Sequence, residues 1–264
     1  MSPSTQICAI VCAVLVAQVT GAEEVLLQLP FKKITPINEI PARSVKTCQH
    51  ESSDYSSCLR LAIQESWMTF VKGIPELGLP VLDPMVVDMM ENEYVAGEVQ
   101  GRFVLRDVKT YGLAKANFLA VRPYRSDNVM NLEIDLEIPK IFIDGDYKAE
   151  GQVAHYKIGG KGYFNISMEG ISVTWGIEGR IQDDRWSIQH FHVYPEVQQM
   201  KVYFDDLFNG NEEMNKAAIN FVNEYWPVLY KGMLPTVEKH WDYHLTDFVN
   251  RLIFSQISAS KVFP

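Results

Sequence analysis

The sequence predicts an α+β fold in which helices lie on one face of an antiparallel β-sheet. Apolar residues recur every three or four positions from Cys58 to Val71 and again after residue 211, which is typical of helices with one buried face. From about residue 92 to residue 177, apolar and polar residues alternate instead, as in half-buried strands. No helical pattern separates these strands, so we expect hairpin connections and antiparallel pairing.

Residues 1–22 have the composition of a secretory signal peptide, because they contain no charged side chain and carry an apolar run from Ile7 to Val19. This run is shorter than the roughly 20 apolar residues that span a bilayer. Small residues follow it and favour cleavage near residue 22. We therefore expect a secreted, extracellular protein whose mature chain, residues 23–264, forms a single domain, since no linker or repeat divides it. A retained N-terminal anchor is the alternative.

Charge and motifs argue against several classes of function. The formal net charge of −9 lies on the mature chain, whereas nucleic-acid binding is driven by Lys and Arg. The same charge argues against stable association with anionic membranes. The chain has no Gly-x-Ser-x-Gly elbow, no phosphate loop and no His-Glu-x-x-His motif. We expect neither an enzyme nor a cofactor.

The cysteines predict one disulfide. Cys8 and Cys12 fall in the signal peptide, so the mature chain keeps Cys48 and Cys58. In an oxidising compartment a close pair is most simply a disulfide, which in a loop this short contributes about 2.7 kcal/mol in the chain-entropy model. A zinc site is the alternative, but with His50 nearby it would still lack a fourth ligand.

The first helix is predicted from Cys58 to about Val71, with one apolar face buried. Asp54 or Ser56 is placed to cap its start. Gly73 suits the left-handed conformation that commonly ends a helix.

The strands are clearest from Leu132 to Ile138, from Tyr147 to Val153 and from Phe164 to Met168, where apolar residues occupy every second position. The parity of the alternation changes after Gly170. Most of the glycines fall in this part of the chain, and glycines inside strands mark bulges and bends. The pattern therefore predicts a strongly curved sheet.

The long helix after residue 211 carries a wide apolar stripe, and Asn211 is a plausible cap for it. Pro227 is expected to kink this helix because it removes a backbone hydrogen bond. Pro235 is expected to end it before a further helix that reaches about Phe254.

A series of short motifs occurs in a specific order and spacing. They are Cys48 and Cys58 before an amphipathic helix, Lys72–Pro84, Val108–Leu113 with Val121-Arg122, Ile138-Pro139 with Asp144–Gly151, Gly159–Phe164, Asn220 with Tyr225-Trp226, and a C-terminal Phe-Pro. With these motifs the chain resembles the insect juvenile hormone-binding/takeout family over nearly the whole mature sequence.

This resemblance implies a long C-terminal helix wrapped by a highly curved antiparallel β-sheet, with an internal apolar tunnel. It also implies a monomeric carrier whose partner is a small hydrophobic ligand, such as a terpenoid or a fatty acid. Members that resemble the hormone carriers proper have a second disulfide, for which this chain lacks cysteines. The chain therefore looks closer to the takeout branch.

We expect the tunnel wall to come from apolar residues on inward faces, although each could equally be ordinary core. The candidates are Trp67, Phe70, Ile134, Leu136, Tyr147, Phe164, Ile166, Phe221, Tyr225 and Trp226. Tyr147 shares the parity of Ala149, so its hydroxyl is placed to hold a polar end of the ligand. The alternative is that this hydroxyl bonds a backbone carbonyl.

Three groups of residues have spacings that metal ions can use, and each is explained better without a metal. They are His240 with His244, His190 with His192, and Asp144 with Asp146 and Glu150. The histidine pairs lack a recognised carboxylate partner. The acidic group lacks the glycine of a calcium loop and fits a turn between strands better.

Asn165-Ile-Ser167 is a sequon for N-glycosylation, and strand parity places Asn165 outward. One further function stays open, a secreted signalling or interaction protein whose tunnel holds a structural lipid. Delipidation distinguishes the two, because a carrier rebinds its ligand reversibly.

Overall fold

The computed structural model describes residues 47–75, 78–96, 99–153, 156–254 and 258–263. The predicted signal peptide therefore lies outside the described residues.

The described strands form one antiparallel sheet. They are β1 (Met85–Ala96), β2 (Val99–Tyr111), β3 (Asn117–Ser126), β4 (Val129–Val153), β5 (Tyr156–Gln182) and β6 (Arg185–Asp206). The order across the sheet is β1-β2-β4-β5-β6, and β3 also pairs with β4. Residues 129–137 of β4 pair with β3, whereas residues 142–153 pair with β2. Because β1 and β6 end this order, the sheet is open within the described ranges, and the predicted α+β class is confirmed.

The expected turn around Asp144–Glu150 is wrong, because β4 runs through it as a single strand of 25 residues. Pro139 lies in the gap between the segments that pair with β3 and β2, where its missing N–H leaves no ladder bond unmade. Gly170 stands opposite on β5 with a φ of +60°. This left-handed residue accounts for the change of parity without ending the strand.

Three helices of the described ranges accompany the sheet: α1 (Tyr55–Phe70), α2 (Glu212–Val249) and α3 (Ala259–Val262). A 3₁₀ turn (Leu113–Lys115) precedes β3, and a π-helical turn (Asn250–Phe254) extends α2. The predicted Asn211 cap is confirmed, since its side chain accepts from the Met214 N–H at 3.0 Å. Asp54 occupies the N-cap position of α1, but its carboxylate accepts from the Ser52 hydroxyl instead of capping.

The predicted end of the long helix at Pro235 is also wrong, because α2 continues through Pro227 and Pro235 for 38 residues. A proline inside a helix costs about 3 kcal/mol. Side chains on both sides of Pro235 bind α2 to β6, with Asn223 before it and Asn250 after it. These tertiary contacts offset the local cost, so propensity alone does not decide where the helix ends.

Amide side chains of α2 and of the π-helical turn that extends it pair with the free backbone edge of β6. Asn223 accepts from the Val202 N–H at 2.8 Å and donates to the Val202 carbonyl at 2.9 Å. Asn250 makes the same two bonds with Ile188, both at 2.8 Å. An asparagine side chain carries the donor and acceptor that a neighbouring strand would offer. The helix thus covers an edge that would otherwise invite pairing with another chain.

Helix α1 covers the edge of β3 in the same way. Gln64 accepts from the Phe118 N–H at 2.8 Å and donates to the Ala116 carbonyl at 3.2 Å. The predicted disulfide is confirmed at the start of this helix, where Cys48 and Cys58 are joined with a Cα–Cα distance of 5.8 Å. It anchors the chain that enters α1.

The buried apolar side chains form two clusters at opposite ends of the three longest strands. Core A combines α1, β3, the start of β4, the end of β5 and the start of β6, and includes Leu59, Phe118, Leu136, Trp186, Ile188 and Phe191. Core B combines β1, β2, the end of β4, the start of β5, the end of β6 and the first half of α2, and includes Phe103, Leu105, Tyr147, Phe164, Val202 and Val222.

Candidate functional site

The residues predicted to line a ligand site are divided between the two cores. Ile134 and Leu136 are buried in core A and Trp67 packs against it. Tyr147 and Phe164 are buried in core B, and Ile166 and Phe221 pack against it. The remaining three candidates belong to neither cluster. Phe70 is half-buried and stacks on Trp67 at 6.2 Å. Tyr225 is 46% exposed on α2, and half-buried Trp226 lines a shallow surface hollow beside Met200.

An aromatic network holds core A together. Trp67, Phe118 and Trp175 contact one another with ring centroids 5.5 to 5.8 Å apart, and Trp175 also contacts Phe191 at 5.7 Å. Sequence reasoning selected only Trp67 of these four. The alternation of apolar and polar residues along β5 places Trp175 on the inward face, so the sequence does indicate that it is buried. The alternation does not reveal which aromatic rings contact one another.

Two indole groups of core A have backbone partners. The Trp67 Nε1 donates to the Leu113 carbonyl at 2.8 Å, and the Trp186 Nε1 donates to the Met130 carbonyl at 2.9 Å. Buried polar groups are normally satisfied in this manner. Core A therefore has the properties of a packed structural core.

Core B contains a polar group of a different kind. Tyr147 is only 7% exposed, and its ring meets Phe164 edge-on at 6.5 Å. Its hydroxyl is buried and makes no hydrogen bond within the described part of the chain. The structure thus places the ring inward, and no backbone carbonyl of a described residue takes the hydroxyl proton. Leaving such a group unpaired costs about 1–3 kcal/mol.

Electrostatics keep this hydroxyl protonated. Burial, and then the negative charges of Asp206 and Asp205, raise the pKa of Tyr147 well above its usual value. A tyrosine hydroxyl is neutral at physiological pH even without this shift, so the phenol of Tyr147 can donate one hydrogen bond.

A hollow of about 590 Å³ adjoins Tyr147. Met89 and Val104 contribute apolar surface to it, whereas its rim is charged and includes Arg106 and Lys161. Two further rim cations are paired, Arg102 with Glu91 at 2.6 Å and Lys148 with Glu150 at 2.6 Å. The volume is in the range of small-molecule sites. Its charged rim distinguishes it from the predicted apolar tunnel, which stays a prediction.

The sequon residue Asn165 is half-buried in β5, between Asp144 on β4 and Tyr203 on β6. Its glycosylation stays a prediction that peptide mass mapping can check.

Comparison with known proteins gives this architecture a family. A sequence model described as haemolymph juvenile hormone binding protein (JHBP) matches residues 15–264. The chain belongs to the JHBP family. Circadian clock-controlled protein daywake of Drosophila yakuba is 24% identical over 193 residues, which are 69% of this chain and 74% of the relative. Daywake of Drosophila melanogaster is 23% identical over the same shares of the two chains.

A solved structure of the same architecture supports the fold. The crystal structure of Epiphyas postvittana Takeout 1 aligns with a TM-score of 0.64 and 22% sequence identity, and the match covers 83% of this chain and 99% of the other. In the described part of this JHBP-family chain, no helix has the length and apolar character needed to cross a membrane. In this member of the JHBP family, core B has the two features that a ligand with a polar end requires. It has apolar walls, and the Tyr147 hydroxyl is a donor without a partner among the described residues.

Proposed function

We propose that this protein is a secreted, monomeric carrier whose mature chain, residues 23–264, is one domain that holds a small hydrophobic ligand with one polar end in core B. The Tyr147 hydroxyl donates a hydrogen bond to that polar end. Membership of the JHBP family supports the carrier role. The observation that carries the placement is the Tyr147 hydroxyl, which is buried without a hydrogen-bond partner among the described residues.

The physical reason is the difference in free energy between the empty and the occupied site. An epoxide, ester, carbonyl or carboxyl oxygen of the ligand would accept the hydroxyl proton and remove the penalty of the unpaired group. The ring of Tyr147 would add apolar contact to the same ligand. An oxygenated terpenoid or a fatty acid has this combination of a long apolar chain and one polar end.

The apolar surface of such a ligand is large enough to give measurable, reversible binding. Burying on the order of 400 Å² of apolar surface would contribute about 10 kcal/mol. The loss of translational and rotational freedom costs at least about 4 kcal/mol. At that minimum cost, the remaining roughly 6 kcal/mol corresponds to a dissociation constant of roughly tens of micromolar, and a larger cost makes binding weaker. A carrier needs such reversible binding, because it has to release its ligand.

We assign the wall of the ligand site to Tyr147, Phe164, Ile166 and Phe221, the predicted residues that lie in or against core B. Trp67, Ile134 and Leu136 then serve to pack core A.

The experiment uses a fluorescent apolar probe that is displaced from the delipidated mature protein by two competitors, an oxygenated terpenoid and its matching hydrocarbon. Tyr147→Phe keeps the ring and removes only the hydroxyl. Affinity for the oxygenated competitor should fall about fivefold, which corresponds to a hydrogen bond of about 1 kcal/mol. Affinity for the hydrocarbon should stay the same.

The matched control is Tyr124→Phe, which removes a hydroxyl from a side chain that is 60% exposed on β3. It should change neither affinity. An unchanged preference between the two competitors in Tyr147→Phe would exclude Tyr147 as the polar anchor. Failure of the delipidated wild type to rebind any competitor would instead favour a structural lipid over a carried one.

Secretion is tested by the mature N-terminus. Expression of the full chain in insect cells should release a protein into the medium whose intact mass corresponds to cleavage near residue 22. A protein that stays with the cells and retains residues 1–22 would contradict this part of the proposal.

A further inference from the structure

Three side chains with metal-ligating atoms meet where α2 passes β6. His190 and His192 belong to the strand and Asp242 to the helix, and one potential ligand atom of each lies within 4.8 Å of the others. The His190 Nδ1 lies 2.8 Å from the Asp242 Oδ2. The two imidazole rings stack with centroids 5.3 Å apart and an interplanar angle of 9°. Phe191 between them is buried in core A, so both histidines point away from that core.

Two hydrogen bonds, one from the backbone and one from a side chain, hold the carboxylate of Asp242 in place. The Asp242 Oδ1 accepts from the Phe191 N–H at 2.7 Å and from the Thr246 hydroxyl at 3.2 Å. These bonds leave the Oδ2 directed at His190. Ligands that are fixed by hydrogen bonds from neighbouring groups lose little freedom when a metal binds.

Strand β6 has a β-bulge directly before His190. His190 pairs with Glu178 on β5, whereas Ile188 pairs with Gly179, so β6 carries one extra residue between them. Such a bulge re-aims the neighbouring side chains. His192 faces Gly176, which has no side chain to crowd the imidazole ring.

We propose that His190, His192 and Asp242 form a binding site for Zn²⁺ or a related divalent transition-metal ion. Two imidazole nitrogens and one carboxylate oxygen are ligands that zinc accepts, and they leave a fourth position for water. Imidazole ligands favour zinc, copper and nickel over calcium and magnesium. The bound ion would replace the His190–Asp242 hydrogen bond and join α2 to β6. The two histidines alone do not indicate this site; Asp242 completes it from 50 residues further along the chain.

The test is calorimetric titration of Zn²⁺ into the mature protein without a histidine tag. One saturable site with a micromolar dissociation constant is expected in the wild type, with no binding of Mg²⁺. His190→Ala/His192→Ala should weaken zinc binding at least tenfold. Asp242→Asn should do the same, and its amide oxygen can still accept from the Phe191 N–H, so this variant tests the charge with little risk to folding.

The matched control is His240→Ala/His244→Ala. It also removes two histidines, whose rings stack with centroids 6.4 Å apart on α2 at a spacing that zinc can use. Zinc affinity should stay within twofold of the wild type in this variant. A loss in the control together with retention in His190→Ala/His192→Ala would move the site to the helix pair and overturn the proposal.

Thermal unfolding gives a second readout. A zinc concentration a hundredfold above the dissociation constant should raise the Tm of the wild type and of the control by about 5–10 °C. The Tm of His190→Ala/His192→Ala and of Asp242→Asn should not respond. If no saturable zinc binding occurs below 100 μM in the wild type, the proposal is wrong.

Discussion

Core A and core B are built on the same three long strands, yet they treat their buried polar groups differently. In core A, the Trp67 and Trp186 indoles both donate to backbone carbonyls. In core B, the Tyr147 hydroxyl has no partner among the described residues. A core that satisfies its own polar groups gains rigidity, whereas a core that leaves a donor unused is suited to receive an external acceptor.

Among the described residues, core A also contains one buried hydroxyl without a partner, like that of Tyr147 in core B. The Tyr55 hydroxyl is also buried without a hydrogen-bond partner in the ranges that the structure describes. Its ring meets His50 at 5.3 Å, close to residue 47, where the described chain begins. Tyr147 lies instead on a central strand that has described neighbours on both sides. The contrast between a structural core A and a ligand-binding core B therefore depends on the Tyr147 hydroxyl. The variants described below test this contrast.

The largest effect is expected from Phe118→Ala in core A. This ring is fully buried and contacts both Trp67 and Trp175. Its removal should lower the free energy of unfolding by about 3–5 kcal/mol, measured by denaturant titration. The folded fraction should still bind the apolar probe with wild-type affinity. A stability loss below about 1 kcal/mol, or a loss of probe affinity, would contradict the structural role of core A.

The second-largest loss of stability is expected from removal of the disulfide in core A. Replacing both Cys48 and Cys58 with alanine should lower stability by about 2.7 kcal/mol, because the unfolded chain gains entropy. Probe binding in core B should not change. Intact mass after alkylation without reductant provides the control, because two freely alkylated thiols in the wild type would show that the disulfide does not form.

Asn223 of α2 and Asn250 of the π-helical turn that follows it offer a matched pair across the cores. Asn223→Leu strands the N–H and carbonyl of Val202 in core B, and Asn250→Leu strands those of Ile188 in core A. Each should cost about 1–3 kcal/mol in thermal or chemical unfolding, because buried backbone groups lose their partners. Only Asn223→Leu should also weaken probe binding. Equal effects of both variants on binding would mean that the cores do not act separately.

The smallest effect expected in this set is on affinity. Leu105→Trp crowds core B and should weaken probe binding about tenfold, which corresponds to about 1.4 kcal/mol. Leu132→Trp is the control, since it overfills core A by the same volume. The control should lower stability and leave affinity unchanged. Probe binding that survives Leu105→Trp but not Leu132→Trp would place the ligand in core A.

Periodicity and residue chemistry were enough to predict the helices and most strands, the α+β class and the Cys48–Cys58 disulfide. The inward position of Tyr147 followed from its parity with Ala149. These properties are local, because a buried face must repeat with the period of its own helix or strand. The long helix did not end at Pro235, and Asp144, Asp146 and Glu150 lie within β4 instead of in a turn. Contacts of the helix with β6, and the pairing of β4 with β2 and β5, outweigh these local signals.

By itself, the sequence determined which residues are apolar, which face each element buries and which cysteines remain to pair. The tertiary structure alone decided that the buried residues divide into two cores, that Tyr147 keeps an unused hydroxyl, and that Asp242 meets His190 and His192. The physical reason is that the period of a pattern defines directions around one element only. Strand register and the path of α2 along β6 depend on contacts between residues far apart in the chain, which no local pattern records.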